Sequence, residues 1–180
     1  MLRICLIIGH NRAAQGAQNT NSAISEFAFN DRLVQEVVGQ NKDSELFLIP
    51  VYRTTYEELP DYVNACNPHF AISFHCNAFN SRISGTETLY YHNSKVSKRI
   101  ASIVQSNVVD CLCLPDRGIK PRTFEDRGGH LLRYVKAPVV ICESFFIDND
   151  IDLEIATKRF DLLARSFLNS IHAIMEAKEV

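Results

Sequence analysis

The chain has 180 residues, a length that suits one domain with its own hydrophobic core. Hydrophobic residues make up 46% of it and charged residues 22%, which is ordinary for a soluble globular protein. The net charge of -2 gives no basic footprint for nucleic acid, and no apolar run approaches the roughly 20 residues of a membrane span.

The first half of the chain alternates apolar runs of strand length with segments whose apolar residues recur at helical spacing. Residues 3–8 are apolar throughout, which predicts a central strand covered on both faces, and they lead into Gly9 and His10. Asn21 or Ser22 can cap the helix that follows. The predicted elements are a strand at 3–8, a helix from 22 to 39 or 41, a strand at 45–51, a helix at 56–66 and a strand at 70–74.

The second half continues the alternation. We predict a strand at 86–91, a long helix capped by Ser94, a turn at 115–118, a loop at 123–129, a short strand at 130–135, a strand at 138–142 and helix over 148–178. Strands that alternate with helices indicate an α/β fold. We therefore expect a single domain over residues 1–180, with a central mixed, mostly parallel sheet and helices on both of its faces.

Four residues of the metal-ligand type converge in this arrangement. His10, His75 and Glu143 each follow an apolar strand, and Glu26 lies near the start of the first helix. Ligands of open α/β sheets bind outside the carboxyl ends of the strands. Each residue alone has a simpler explanation, because a lone histidine is commonly part of the core and the helix dipole favours an acid in the first turn. The convergence of all four favours a functional site.

Two imidazoles and one carboxylate, with a fourth position left open, describe a catalytic zinc site. Such a site activates water, and a second carboxylate that is not a ligand can accept its proton and pass it to a leaving group. The spacing of the residues does not say which of Glu26 and Glu143 is the ligand.

A set of short motifs runs in order along nearly the whole chain. The motifs are Gly9-His10, Glu26, the segment 73–78 (SFHCNA), the segment 85–91 (GTETLYY), the segment 116–119 (DRGI) and the segment 138–149 (PVVICESFFIDN). Each motif is weak alone, but the ordered set is specific, and it resembles the zinc-dependent N-acetylmuramoyl-L-alanine amidases of type 3. This sequence departs from the usual family pattern at Ile7, Asn11, Arg12, Phe145 and Asp148.

The resemblance implies that His10, Glu26 and His75 bind zinc and that Glu143 is the catalytic glutamate. It also implies an α/β fold and hydrolysis of the amide bond between N-acetylmuramic acid and L-alanine of the peptidoglycan stem peptide. Peptidoglycan or a muropeptide is then the expected substrate, and lysis or remodelling of the cell wall the expected outcome.

Four further residues are candidates for substrate binding. Asn77 could orient the site, although a turn-forming asparagine is equally expected. Arg117 and Arg127 could pair with acidic groups of the stem peptide, although exposed arginines are commonly only solvated. His130 follows two glycines and could line the cleft.

Two alternatives to the amidase remain open on the sequence. One is a zinc peptidase on a similar scaffold, and the other is an inactive relative that binds cell-wall fragments. The presence of all four site residues argues against the inactive relative.

The sequence also allows predictions about where the protein is made and how it reaches the cell wall. Residues 2–8 are too short for a signal peptide and have no small-residue cleavage site, so we expect synthesis in the cytoplasm without one. Six cysteines without a C-x-x-C pair predict reduced thiols rather than a cysteine zinc site. These features are expected of a phage endolysin released by a holin, and also of a bacterial amidase or autolysin that reaches the wall by another route. We expect a monomer with no nucleic-acid partner.

Overall fold

The computed structural model describes residues 1–177. The strands are β1 (Leu2–Ile8), β2 (Leu46–Val51), β3 (Phe70–Asn77), β4 (Thr86–Tyr91), β5 (Asp116–Arg122) and β6 (Val139–Phe146). The helices are α1 (Glu26–Gln40), α2 (Leu59–Ala65), α3 (Lys95–Leu112), α4 (Gly129–Tyr134), α5 (Asp150–Lys158) and α6 (Phe160–Glu176).

The described strands form one six-stranded sheet in the order β2-β1-β3-β6-β4-β5. All neighbouring pairs are parallel except β4 and β6, which are antiparallel. The apolar runs of β1, β3 and β6 lie in the middle of the sheet, because only a strand covered on both faces can bury every side chain. The predicted mixed, mostly parallel sheet is confirmed.

Two hydrophobic cores, one on each face, hold the helices against the sheet. Ile4, Leu6 and Ile8 of β1 point into the larger core, which α1, α3, α5 and α6 cover. Cys5 and Ile7 point into the smaller core, which the short helices α2 and α4 cover. Helices therefore flank both faces, as predicted. Because α2 and α4 have only 7 and 6 residues, they leave part of the second face open near the carboxyl ends of the strands.

Three predicted helices had wrong boundaries. The second helix begins at Leu59 and not at Tyr56, since Pro60 lies at its start, where a missing amide hydrogen costs nothing. The first helix begins at Glu26 and not at Ser22, since the side chain of Ser25 caps it by accepting a hydrogen bond from the amide of Ala28. The predicted helix at 148–178 is two helices, α5 and α6, that meet at Arg159, whose backbone is not helical. Position 178 lies outside the described residues.

Two predicted elements had the wrong type. The turn at 115–118 is the start of β5, an edge strand that pairs only with β4 and so tolerates Gly118 and Pro121 within it. The strand at 130–135 is the helix α4, which buries Leu131 and Leu132 in the smaller core. A six-residue apolar segment does not by itself distinguish strand from helix.

Both site-bearing strands are longer than predicted. β3 extends to Asn77 and β6 to Phe146, so His75 and Glu143 lie within paired strands and not beyond their ends. The apolar run ends at these residues, but the backbone pairing continues through a register shift.

The six cysteines are free thiols, as expected. Within residues 1–177, no helix has both the length and the hydropathy that crossing a bilayer requires.

Candidate metal centre

His10, Glu26 and His75 meet at the carboxyl end of the sheet. The Nδ1 atom of His75 lies 2.8 Å from Oε1 of Glu26, and the Nε2 atom of His10 lies 3.0 Å from Oε2 of Glu26. One nitrogen or oxygen atom from each of the three residues lies within 4.8 Å of the other two. One carboxylate is thus shared between two imidazole rings.

Local backbone features bring the three side chains together. His10 follows β1 with a φ of 66°, a left-handed conformation that is uncommon for a residue with a side chain and recurs at functional sites. Glu26 is the first residue of α1 and is completely buried. Gly16 has a φ of 75°, and a Cβ atom there would lie 2.5 Å from Oε2 of Glu26. The loop between β1 and α1 can therefore close over Glu26 only with glycine at this position.

The charge state of Glu26 is set by its partners. Burial opposes ionisation, but the neighbouring imidazoles of His10 and His75, of which His75 is hydrogen-bonded to it, outweigh burial and hold the pKa of Glu26 well below its usual value. The backbone amides of Ala17 and Cys76 also donate to its two oxygens. For His75, burial favours the neutral ring, but the hydrogen bond to Glu26 outweighs burial and raises the pKa. Glu26 is therefore a buried anion, held beside two imidazoles.

These residues fit a zinc ion. Nε2 of His10 is buried, and although Glu26 lies 3.0 Å away, the geometry is not that of a hydrogen bond, so this nitrogen has no hydrogen-bond partner. A buried imidazole nitrogen without a partner is costly unless something else coordinates it. Two imidazole nitrogens and one carboxylate oxygen are the donor set of many catalytic zinc sites.

Glu143 lies beside this group because of strand register. It is directly opposite His75 on the parallel neighbour β3 and directly opposite Glu87 on the antiparallel neighbour β4. Residues that face each other across paired strands project from the same face of the sheet. Glu143 is only 8% exposed, and its Oε2 atom has no hydrogen-bond partner. Burial raises the pKa of Glu143 to about 7.

A cavity of about 560 Å³ opens over these side chains. Its floor includes Ile7, Leu89 and Ile141 from the sheet, and α2, α4 and the loop before α4 form its walls. The polar and aromatic residues that line it are His10, His75, Asn77, Glu87, Glu143, Arg53, Tyr56, Arg122, Phe124, Glu125, Asp126, Arg127 and His130. A mostly apolar pocket with a few convergent polar groups is typical of an active site.

The four candidates for substrate binding do not all line the cavity. Asn77, Arg127 and His130 line the cavity, whereas Arg117 is not among its lining residues. The guanidinium of Arg117 instead donates to Oε2 of Glu87 at 2.9 Å and stacks 5.0 Å from the ring of Phe146. Asn77 donates to Oε1 of Glu87 at 3.1 Å, so it is not the simple turn residue that the sequence also allowed.

Sequence reasoning missed Glu87 as a site residue. It is 7% exposed, lines the cavity, and both of its carboxylate oxygens are occupied, by Asn77 and by Arg117. Leu89, two residues further on, points into the smaller core. An acid on the inward face of an alternating strand was therefore the signal that could have identified Glu87.

Arg53 and Tyr56 also contribute to the cavity wall. Nη2 of Arg53 lies 3.3 Å from Nδ1 of His10, and its guanidinium lies over the ring of Tyr56. The ring of Tyr56 packs 5.4 Å from that of His130. No periodic pattern in the sequence predicted that these two residues lie beside the metal centre, because both lie in the loop after β2.

Comparisons with known proteins agree with this fold. The chain is 29% identical over 157 residues to the uncharacterized protein YqiI of Bacillus subtilis (strain 168), a match that spans 81% of this chain and 70% of that protein. An N-acetylmuramoyl-L-alanine amidase from Clostridium difficile 630 has the same fold, with a TM-score of 0.89, 21% identity and 98% of each chain covered.

The catalytic domain of CwlV, an N-acetylmuramoyl-L-alanine amidase from Bacillus (Paenibacillus) polymyxa var. colistinus, is also similar. Its TM-score is 0.86 at 19% identity, over 98% of this chain and 99% of that one. The sequence itself matches the family Amidase_3, described as N-acetylmuramoyl-L-alanine amidase, over residues 4–173. Since this match extends over nearly the whole chain, the chain belongs to the N-acetylmuramoyl-L-alanine amidase family.

Proposed function

We propose that this chain is a zinc hydrolase that cleaves the amide bond between N-acetylmuramic acid and L-alanine of the peptidoglycan stem peptide. His10, Glu26 and His75 would hold the metal, and Glu143 would carry the proton. The observation that supports this most is that Nε2 of His10, a buried atom on a half-buried side chain, has no hydrogen bond although it lies 3.0 Å from Glu26. His10 and His75 line the cavity that Glu143 also lines. Membership of the amidase family supplies the substrate class.

The protein groups have separate tasks in this proposal. When bound, zinc polarises the amide carbonyl and acidifies water. Glu26 stays ionised and holds both imidazoles in place. The C–N bond of the amide breaks, the oxygen of water joins the acyl carbon, and the amine leaves with a proton. Glu143, with a pKa of about 7, is suited to accept a proton from water and return it to the leaving amine near neutral pH.

Three cavity-lining residues are proposed to contact the substrate: Asn77, Arg127 and His130. Arg117 would act indirectly, because its guanidinium binds Glu87 and thereby fixes the carboxylate that also binds Asn77. The protein would act on the cell wall as a monomer. The route by which it reaches the wall, through a holin or otherwise, stays a prediction.

Digestion of purified peptidoglycan by the zinc-loaded protein, followed by mass analysis, tests the bond that is cleaved. We expect free stem peptides that begin with L-alanine and intact glycan strands. Peptides cut at an internal peptide bond would contradict the amidase and support a zinc peptidase. Bound fragments without any product would support the inactive relative.

A Glu143→Ala variant tests the proton carrier. We expect its hydrolysis rate to fall by about 10²–10⁴-fold, the usual contribution of general acid–base catalysis, while elemental analysis shows zinc retained. A His75→Ala variant is the matched comparison and should lose both zinc and activity. An active Glu143→Ala protein would refute the role of Glu143.

A further inference from the structure

Arg127 is a cation on the cavity wall that has no hydrogen-bond or ion-pair partner among residues 1–177. It lines the same cavity as His75 and Glu143, and its side chain is exposed to the cleft solvent. Burial is the largest influence on the ionisation of Glu143, and Arg127 is among the nearby charges that act on it by favouring the carboxylate form. Arg127 is therefore close to the reacting groups without contacting them.

Two other arginines near the metal centre, Arg53 in the cavity and Arg117 behind Glu87, are already engaged. Arg53 contacts Nδ1 of His10, and Arg117 forms an ion pair with Glu87. Within residues 1–177, Arg127 makes no hydrogen bond and no ion pair. The adjacent Asp126 forms no ion pair with Arg127, and its Oδ2 instead accepts hydrogen bonds from the amide and the hydroxyl of Thr123. Arg127 thus retains a full set of donors in a planar fork.

The loop that carries Arg127 is held by its own contacts. The side chain of Asp126 accepts a hydrogen bond from Thr123. The backbone carbonyl of Asp126 accepts one from the amide of Gly129 at 2.8 Å. A Cβ atom on Gly129 would lie 2.1 Å from the carbonyl oxygen of Thr123, so the loop folds back against the start of α4. The backbone beneath Arg127 is therefore defined, and only its side chain must be ordered when a ligand binds.

The chemistry of the substrate indicates which group Arg127 can meet. In an N-acetylmuramoyl peptide the lactyl carboxyl is part of the scissile amide, so the sugar half carries no charge. The anionic groups are the carboxylates of the peptide half. Arginine binds a carboxylate with two parallel charge-assisted hydrogen bonds.

We propose that Arg127 binds a carboxylate on the peptide side of the scissile amide and makes the enzyme select acidic stem peptides over amidated ones. This inference rests on the proposed amidase function. It predicts a preference that depends on one side chain and on one substrate charge.

Two synthetic substrates test it: N-acetylmuramoyl-L-alanyl-D-glutamate with both carboxylates free, and the same compound with both as primary amides. The zinc-loaded wild type should prefer the diacid. Arg127→Gln should lower kcat/KM for the diacid by about tenfold through a higher KM, and should affect the diamide much less. Tenfold is the low end for the loss of a hydrogen bond to a charged group. Arg127→Lys, which keeps the charge but not the fork, should fall between them.

Arg82→Gln is the matched control, since Arg82 is an exposed loop arginine outside the cavity. It should change neither substrate. An equal loss on both substrates in Arg127→Gln, or no loss on either, would overturn the inference.

Calorimetric titration of the same two compounds into zinc-loaded Glu143→Gln and Glu143→Gln/Arg127→Gln separates the two proposals. A preference for the diacid that requires Arg127, without hydrolysis by the wild type, would refute the amidase and retain the carboxylate site. Hydrolysis without any such preference would support the amidase and refute the carboxylate site at Arg127.

Discussion

Replacement of Glu143 by glutamine should stabilise the metal-free protein above neutral pH. Glu143 is 8% exposed and has one carboxylate oxygen without a partner, and burial raises its pKa from 4.5 to about 7. Between these two values the folded protein keeps a proton that the unfolded chain releases. Stability therefore falls as the pH rises through this interval and stays lower above it.

The magnitude follows from the same two values. At about 1.4 kcal/mol for each pKa unit, the rise from 4.5 to about 7 corresponds to a loss of about 3 kcal/mol of stability at about pH 8. Glutamine has no proton to lose at this position. Glu143→Gln should accordingly be more stable than the wild type by up to about 3 kcal/mol at about pH 8, and by less than about 1 kcal/mol near pH 5.

Urea unfolding followed by circular dichroism, with a chelator present and at several pH values, measures this difference. Glu87→Gln is the matched control, because Glu87 lies opposite Glu143 on β4 and is equally buried, but both of its oxygens are bonded. That variant should be less stable than the wild type by about 1 kcal/mol, since Arg117 loses a charged partner that is only partly shielded from solvent. A Glu143→Gln protein that is destabilised at about pH 8, or whose advantage does not grow with pH, would refute the reasoning.

Three further predictions concern the metal and two buried contacts. Zinc at about 100 times its Kd should raise the free energy of unfolding by about 2.7 kcal/mol, and Glu26→Gln should abolish this response in thermal melts; a retained response would exclude Glu26 as a ligand. Gly129→Ala should cost about 1–3 kcal/mol, because its Cβ would collide with the carbonyl of Thr123, and an unchanged melting temperature would contradict that contact. Asp152→Asn should cost about 3 kcal/mol in urea unfolding, because the buried carboxylate accepts from the hydroxyl of Ser84 and from two backbone amides; a neutral effect would argue against this network.

The parts of the fold that the sequence predicted well are those with a local signal. The continuous apolar runs in β1, β3 and β6 identified the central strands, since burial on both faces requires apolar side chains at every position. The periodic stripe of α3 and its cap at Ser94 were also confirmed. β5 and α4 were assigned wrongly because an edge strand needs little burial and a six-residue segment has no resolvable period.

The sequence also predicted only part of the candidate site. The order of short motifs was enough to indicate His10, Glu26, His75 and Glu143. In the structure His10, His75 and Glu143 line one cavity, and buried Glu26 lies against the two imidazoles. No sequence signal distinguished Arg127, which lines that cavity and has no ion pair within residues 1–177, from Arg117, which binds Glu87. Both arginines occupy polar segments of similar composition, so only their neighbours in space separate them.

By itself, the sequence determined the α/β alternation, the residue types available to a metal, and the family. Only the tertiary structure decided that His75, Glu143 and Glu87 form one row across three adjacent strands and that Glu26 lies between two imidazoles. The physical reason is that strand register and helix docking are set by contacts between segments distant in the chain. A shift of one residue in that register would move each of these side chains to the opposite face of the sheet.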